Sequence, residues 1–166
     1  MMYIDYTGQT TIDLVTSSDG ITWGSPTAVI NKGAGGKFDS NILVGGTVIY
    51  ESSNSGTTGP YQMWYTGHDG STWRIGYAYS SDGINWTKQS GNLTGSACLA
   101  PGPNAWDNTH VANPGVVRYD PSDGNGVRYF MFFGGHNGSY YKIGVANSNN
   151  IDLGTSVNDW KEYRSR

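Results

Sequence analysis

Short runs of alternating apolar and polar residues, each closed by Gly, Asn, Asp, Ser or Pro, recur along the whole chain. That is the period of a strand with a buried face. Residues 1–30 begin on such a run, Met2-Tyr3-Ile4-Asp5-Tyr6, followed by a Thr7-Gly8-Gln9 turn, a strand over Thr11 to Thr16, and Trp23 at the start of the next strand. Four further strands are predicted at about Leu43 to Glu51, Tyr61 to Tyr65, Trp73 to Ser80 and Trp86 to Gln89. Another four are predicted at Gly115 to Tyr119, Arg128 to Phe133, Tyr140 to Ala146 and about Trp160 to Tyr163. No segment reads as a helix of normal length. The alternation in Tyr61-Gln62-Met63-Trp64-Tyr65 suits a sheet packed on both faces.

The pattern also repeats. Gly67-His68-Asp69-Gly70-Ser71 and Gly135-His136-Asn137-Gly138-Ser139 are 68 residues apart, and the same offset pairs Asp39 with Asp107, Val48 with Val116, Tyr61 with Tyr129, Met63 with Met131, Ile75 with Ile143, Gly76 with Gly144 and Ala78 with Ala146. Ser17-Ser18-Asp19-Gly20-Ile21-Thr22-Trp23 matches Ser80-Ser81-Asp82-Gly83-Ile84-Asn85-Trp86 at an offset of 63. We read one domain over residues 1–166 with repeats at about 1–30, incomplete because the chain starts inside it, 37–90 and 105–164. A period of this size points to stacked units that bury their apolar faces on one another. Four antiparallel strands per unit with a tryptophan at the outer strand is the pattern of a β-propeller blade. The predicted fold is all-β, about two and a half to three blades. The Gly-rich stretch Asn31 to Phe38 reads as a link between repeats, since a phosphate-binding loop needs a following helix and a lysine in register.

Composition narrows the partners. Charged residues are 14% of the chain, against ~25% typically, while aromatics are 13% and there are 25 Gly, as expected for short strands and tight turns. The formal net charge of -3 leaves no basic stripe for nucleic acid. The single Cys98 excludes an internal disulfide framework and a cysteine zinc site, and is expected to be buried or half-buried. No apolar run suits a membrane span and no leader is recognised, so neither secretion nor a cytoplasmic location is favoured.

Met63-Trp64-Tyr65-Thr66-Gly67 and the run from Ile75 to Lys88, together with Trp106 to Asp120 leading into Tyr129 to Gly135, resemble the five-bladed propeller glycosidases. That group comprises the arabinanases and xylosidases, the invertases and levansucrases, and the mannoside phosphorylases. The sialidase Asp-box is less similar, having one more residue between its Asp and Gly. The resemblance implies a channel lined by the innermost strands, with catalytic acids near their starts. The matching positions are Asp39, after Phe38, and Asp107, after Trp106. Glycoside cleavage uses one carboxylic acid to protonate the leaving oxygen and a second carboxylate as base or nucleophile. Phe38 and Trp106 are the expected sugar platforms, with Asn108 and His110 also in contact with substrate. The family's general acid is usually a Glu on another inner strand, and neither Glu51 nor Glu162 matches it. Five blades of this repeat length need about twice the residues present, so the expectation is either a piece of a longer protein or a homodimer that completes the ring.

The implied function is carbohydrate recognition on a glycoside-hydrolase-like scaffold, with hydrolysis once the ring is complete. The alternatives are a noncatalytic lectin or adhesion module and a purely structural assembly module. Asp19 and Asp82, in their Ser-Ser-Asp-Gly setting, are expected to cap turns instead of doing chemistry. His68 and His136 repeat at a hairpin, which suits local hydrogen bonding. His110 does not repeat, since Ile42 stands at its counterpart, and such a position suits a specialised contact. The aromatics Trp64, Tyr65, Trp73, Tyr77, Phe132, Phe133, Tyr140 and Tyr141 are expected mostly to be core between units. The three histidines are too dispersed for a metal site, and no cofactor is expected.

Overall fold

The computed structural model describes residues 1–4, 8–52, 59–89, 94–103, 106–120, 127–148 and 161–163. Within them the chain forms three antiparallel sheets, each with its strands in sequence order. The first contains β1 (Met2–Ile4), β2 (Thr11–Val15) and β3 (Thr27–Asn31). The second contains β4 (Ile42–Tyr50), β5 (Tyr61–His68), β6 (Trp73–Ser80) and β7 (Trp86–Lys88). The third contains β8 (His110–Tyr119), β9 (Arg128–His136), β10 (Tyr141–Ser148) and β11 (Lys161–Tyr163). One 3-10 turn, Thr94–Ser96, precedes a short stretch in which Leu99 pairs with Ile75 on the free part of the β6 edge. Asp5, Tyr6 and Trp160, which the pattern assigns to strands, lie outside the described residues.

Where strand limits differ from the pattern, the cause is local. β3 begins at Thr27 instead of Trp23 because the Gly24 amide donates to the Thr16 carbonyl at 2.9 Å, closing the turn, and Pro26 has no N–H to give a ladder. β8 begins at His110, ahead of the expected Gly115, because a bulge between Ala112 and Gly115 breaks the alternation. Asn113 in that bulge has φ 57°, and β4 carries a matching irregularity between Val44 and Thr47.

The Ser-Ser-Asp-Gly turns are capped by their aspartates. Asp82 Oδ1 accepts the Ile84 and Asn85 amides at 2.8 Å, and Asp19 Oδ1 accepts those of Ile21 and Thr22 at 2.8 Å. Gly20 and Gly83 take φ of 74° and 75°, which a side chain would strain. The Thr22 and Ile21 amides and the Ser17 hydroxyl hold the Asp19 carboxyl well below the usual carboxylate range, and the Asn85 backbone and side chain with the Ile84 amide do the same for Asp82.

Alternation along β5 builds two cores. Met63 and Tyr65 join Phe38, Leu43 and Ala78 against Ile12 and Ile30 of the first sheet. Trp64 faces the other way, with Ile75 and Tyr77, against Val111, Val116, Met131, Phe133 and Ala146 of the third sheet. Polar contacts also cross between the second and third sheets. Thr47 Oγ1 donates to the Pro114 carbonyl at 2.9 Å and accepts the Val116 amide at 3.3 Å, while Thr66 Oγ1 accepts the Asn113 amide at 2.9 Å. Arg118 pairs with Glu51 across the same boundary. Cys98 is buried, and burial pushes its thiol up to about 12.

The third sheet covers the second on one face only. On its other face Val117, Phe132 and Ile143 are exposed, Ile143 to 82%. Their counterparts 68 residues earlier, Ile49, Trp64 and Ile75, are packed in the core between the second and third sheets.

Candidate functional site

Asp39 and Asp107 occupy equivalent places just ahead of β4 and β8, but each is enclosed within its own sheet's turn. Asp39 is 2% exposed. Its Oδ2 accepts from the Lys88 ammonium at 2.5 Å and from the Tyr65 hydroxyl at 3.1 Å. Burial, then the Asp39 charge and that hydrogen bond, hold the Tyr65 phenol well above its ordinary value. A cavity of about 170 Å³ lies beside Asp39, Lys88 and Gly33. Asp107 is fully buried, and its main-chain carbonyl accepts the Gly102 amide at 3.2 Å.

The rings beside these carboxylates are core residues. Phe38 fills the space left by Gly67 and Gly76, and Trp106 fills that left by Gly135 and Gly144, where any added methyl would collide with the rings. Trp106 also stacks on Phe133 at 5.9 Å. Expected to offer flat faces to a sugar, Phe38 and Trp106 are instead turned inward by these glycines. Asn108 is exposed and its Oδ1 accepts from the Thr109 hydroxyl at 3.2 Å.

His110 stands elsewhere, in a cleft between the second and third sheets. This cleft has a volume of about 240 Å³ and is walled by Trp73, His110, Asn113, His136 and Tyr141, with Thr66 at its base. Its rings form a ledge. His110 and His136, which pair across β8 and β9, lie parallel within 7° at 5.6 Å between centroids, and Tyr141 packs on His136 at 4.2 Å. Trp73 packs on His68 at 4.5 Å. Tyr141 is 79% exposed, so one face of its ring is open.

The backbone fixes how the histidines present themselves. Nδ1 of His110 accepts the Trp73 amide at 3.3 Å, Nδ1 of His136 accepts the Gly138 amide at 3.1 Å, and Nδ1 of His68 accepts the Gly70 amide at 3.2 Å. A neutral ring so held carries its proton on Nε2 and donates from that edge. Burial, then His136, His68 and Arg74, lower the His110 pKa, so its neutral form prevails near pH 7.

Of Phe38, Asp39, Trp106, Asp107, Asn108 and His110, the residues expected at the site, His110 alone lines this cleft. The expectation that the aromatics form core between units holds for Trp64, Tyr65, Tyr77 and Phe133 but not for the exposed Phe132, Tyr140 and Tyr141, and Trp73 and Tyr141 line the cleft. Asn113, at φ 57°, stands where the preceding repeat has Gly45, and nothing in the spacing of the sequence signals it as a cleft residue.

No family model matches the chain, and no curated protein matches it in sequence. Solved structures do match in fold. An N-acetylgalactosamine deacetylase from F. plautii, determined with blood group B trisaccharide, superposes with a TM-score of 0.61 at 18% identity over 86% of this chain and 42% of its own. A member of the mannoside phosphorylase family, whose glycoside hydrolases target beta-1,2 mannosidic linkages in Candida mannan, gives 0.56 at 15% over 98% and 40%. A glycosyl hydrolase from Bacteroides ovatus gives 0.54 at 17% over 82% and 40%. The chain shares the β-propeller fold of these carbohydrate-acting proteins. The chain spans about two fifths of the length of these structures. In this propeller the three sheets are blades, two with four strands and one with three among the described residues.

Proposed function

We propose that this chain is a carbohydrate-recognising propeller module whose sugar site is the cleft of Trp73, His110, His136 and Tyr141. One observation carries the reading: an exposed tyrosine ring continues into two histidines held by the backbone as donors, opposite a tryptophan. A sugar presents an apolar C–H face and a rim of hydroxyls, which suits a ring platform beside fixed polar groups. The cleft is smaller than the ~300–1,000 Å³ of a drug-sized site, so it suits one terminal sugar residue. On a glycan array, wild-type protein is expected to bind, and Tyr141→Ala is expected to weaken that binding about tenfold, equivalent to ~1.4 kcal/mol. Binding unchanged in both Tyr141→Ala and Trp73→Ala would remove the assignment.

A hydrolytic reading has its own support in the matched placement of Asp39 and Asp107. It requires both carboxylates to reach substrate once further blades are in place. Asp39→Asn and Asp107→Asn would then each abolish turnover in a glycosidase screen, whereas the recognition reading leaves glycan binding intact in both.

We read residues 1–166 as one partial propeller domain, with repeats at about 1–30, 37–90 and 105–164, completed by a second copy seated on the bare face of the third blade. The support is continuity with the interface already present: Val117, Phe132 and Ile143 stand where Ile49, Trp64 and Ile75 are covered by a neighbouring blade. Contiguous apolar surface of this kind marks interaction sites. Light scattering is expected to give twice the mass of one chain for wild type and a single mass for Ile143→Lys, with Ile84→Lys on an exposed turn as the unaffected control. A monomeric wild type would rule this assembly out.

A further inference from the structure

We infer that the saccharide taken by this cleft is acidic, carrying a carboxylate on the sugar that faces His110 and His136. The inference rests on reading the cleft as a sugar site and adds the chemical class of its ligand. A neutral sugar is a set of hydroxyls, each bringing a proton that needs an acceptor, and a carboxylate side chain is the usual strong acceptor in a protein. Among the described residues, none that lines this cleft is an Asp or Glu. The nearby Asp69 is already engaged: its Oδ1 accepts the Ser71 and Thr72 amides at 2.9 Å and its Oδ2 pairs with Arg74 at 2.5 Å.

The histidine edges are of the opposite kind. With Nδ1 of each ring accepting a backbone amide, Nε2 of His110 and of His136 is left as a donor, and both rings line the same cleft with centroids 5.6 Å apart. A carboxylate only accepts, and its two oxygens can take one donor each. Hydrogen bonds to an ionised acceptor are also about twice as strong as neutral ones. The same tautomers argue against a metal ion here, because ligation through Nε2 would move the proton to Nδ1, against the amide that already occupies it. Bulk charge does not produce the preference, since the chain's net charge of -3 repels an acidic glycan at long range.

The test is calorimetric titration at neutral pH with uronic-acid oligosaccharides and with their methyl esters, which keep the sugar and remove the charge. The acid is expected to bind at least about tenfold more tightly than the ester, equivalent to ~1.4 kcal/mol. His110→Asn and His136→Asn each keep a side-chain acceptor close to the position of Nδ1 while deleting the Nε2 donor. Both are expected to bring the acid-to-ester ratio towards one, with affinity for the acid falling by the larger factor. An ester that binds as well as the acid, or variants that weaken both ligands equally, would overturn the inference and leave the sugar site standing. Absence of binding to any saccharide, acidic or neutral, would instead remove the sugar site and this inference with it.

Discussion

Trp64→Ala is expected to lower the unfolding free energy by about 3–5 kcal/mol, the usual cost of emptying a fully buried aromatic position. Trp64 has no exposed surface, packs on Tyr77 at 5.3 Å and sits where the second and third blades meet. Removing it withdraws the side chain over which Phe133 and Met131 close. The protein supplies its own control. Phe132 holds the same position in the next blade but is 46% exposed, so Phe132→Ala is expected to change stability by no more than about 0.5 kcal/mol as a monomer. Urea denaturation of the two variants in dilute solution checks both, and equal losses would mean that the third blade's outer face is covered.

The second large effect belongs to the pair of Lys88 and Asp39. Lys88→Met is expected to cost about 3 kcal/mol, because it leaves a buried carboxylate with its charge uncompensated. The Tyr65 hydroxyl still donates to Asp39, but one neutral hydrogen bond does not replace an ammonium. Asp39→Asn combined with Lys88→Met removes both charges and is expected to recover most of the loss. A double-mutant cycle measured by chemical denaturation reports the coupling. If Lys88→Met were neutral, solvent reaching the lysine, whose side chain is 29% exposed, would be compensating the carboxylate.

Much of this architecture was legible from residue spacing. The offset linking Met63 to Met131 and Ile75 to Ile143 identified units of one kind, and the period-two alternation across Tyr61 to Tyr65 identified a sheet covered on both sides. The aspartates at 19 and 82 were legible because a turn cap depends on neighbours within three residues. The site was harder to read because its determinants are distant in sequence. His110 stood out as an unrepeated residue, but Trp73 donates to it from 37 residues away and Tyr141 reaches the cleft from another strand. The inward direction of Phe38 and Trp106 was illegible for a related reason. Their direction is set by glycines on facing strands, Gly67 and Gly76 for one and Gly135 and Gly144 for the other, and nothing adjacent to an aromatic residue in sequence announces such a hollow.

The hydroxyls of Thr47 and Thr66, which accept or donate across the boundary between the second and third blades, have Gly115 and Gly134 as their counterparts on the third blade. The second and third blades are therefore keyed to each other at fixed points. A unit resting on the outer face of the third blade meets apolar side chains without those keys, and apolar contact is non-directional. Such a junction tolerates sliding and changes of angle that the inner one forbids, which makes the third blade's outer face the compliant hinge of any larger assembly.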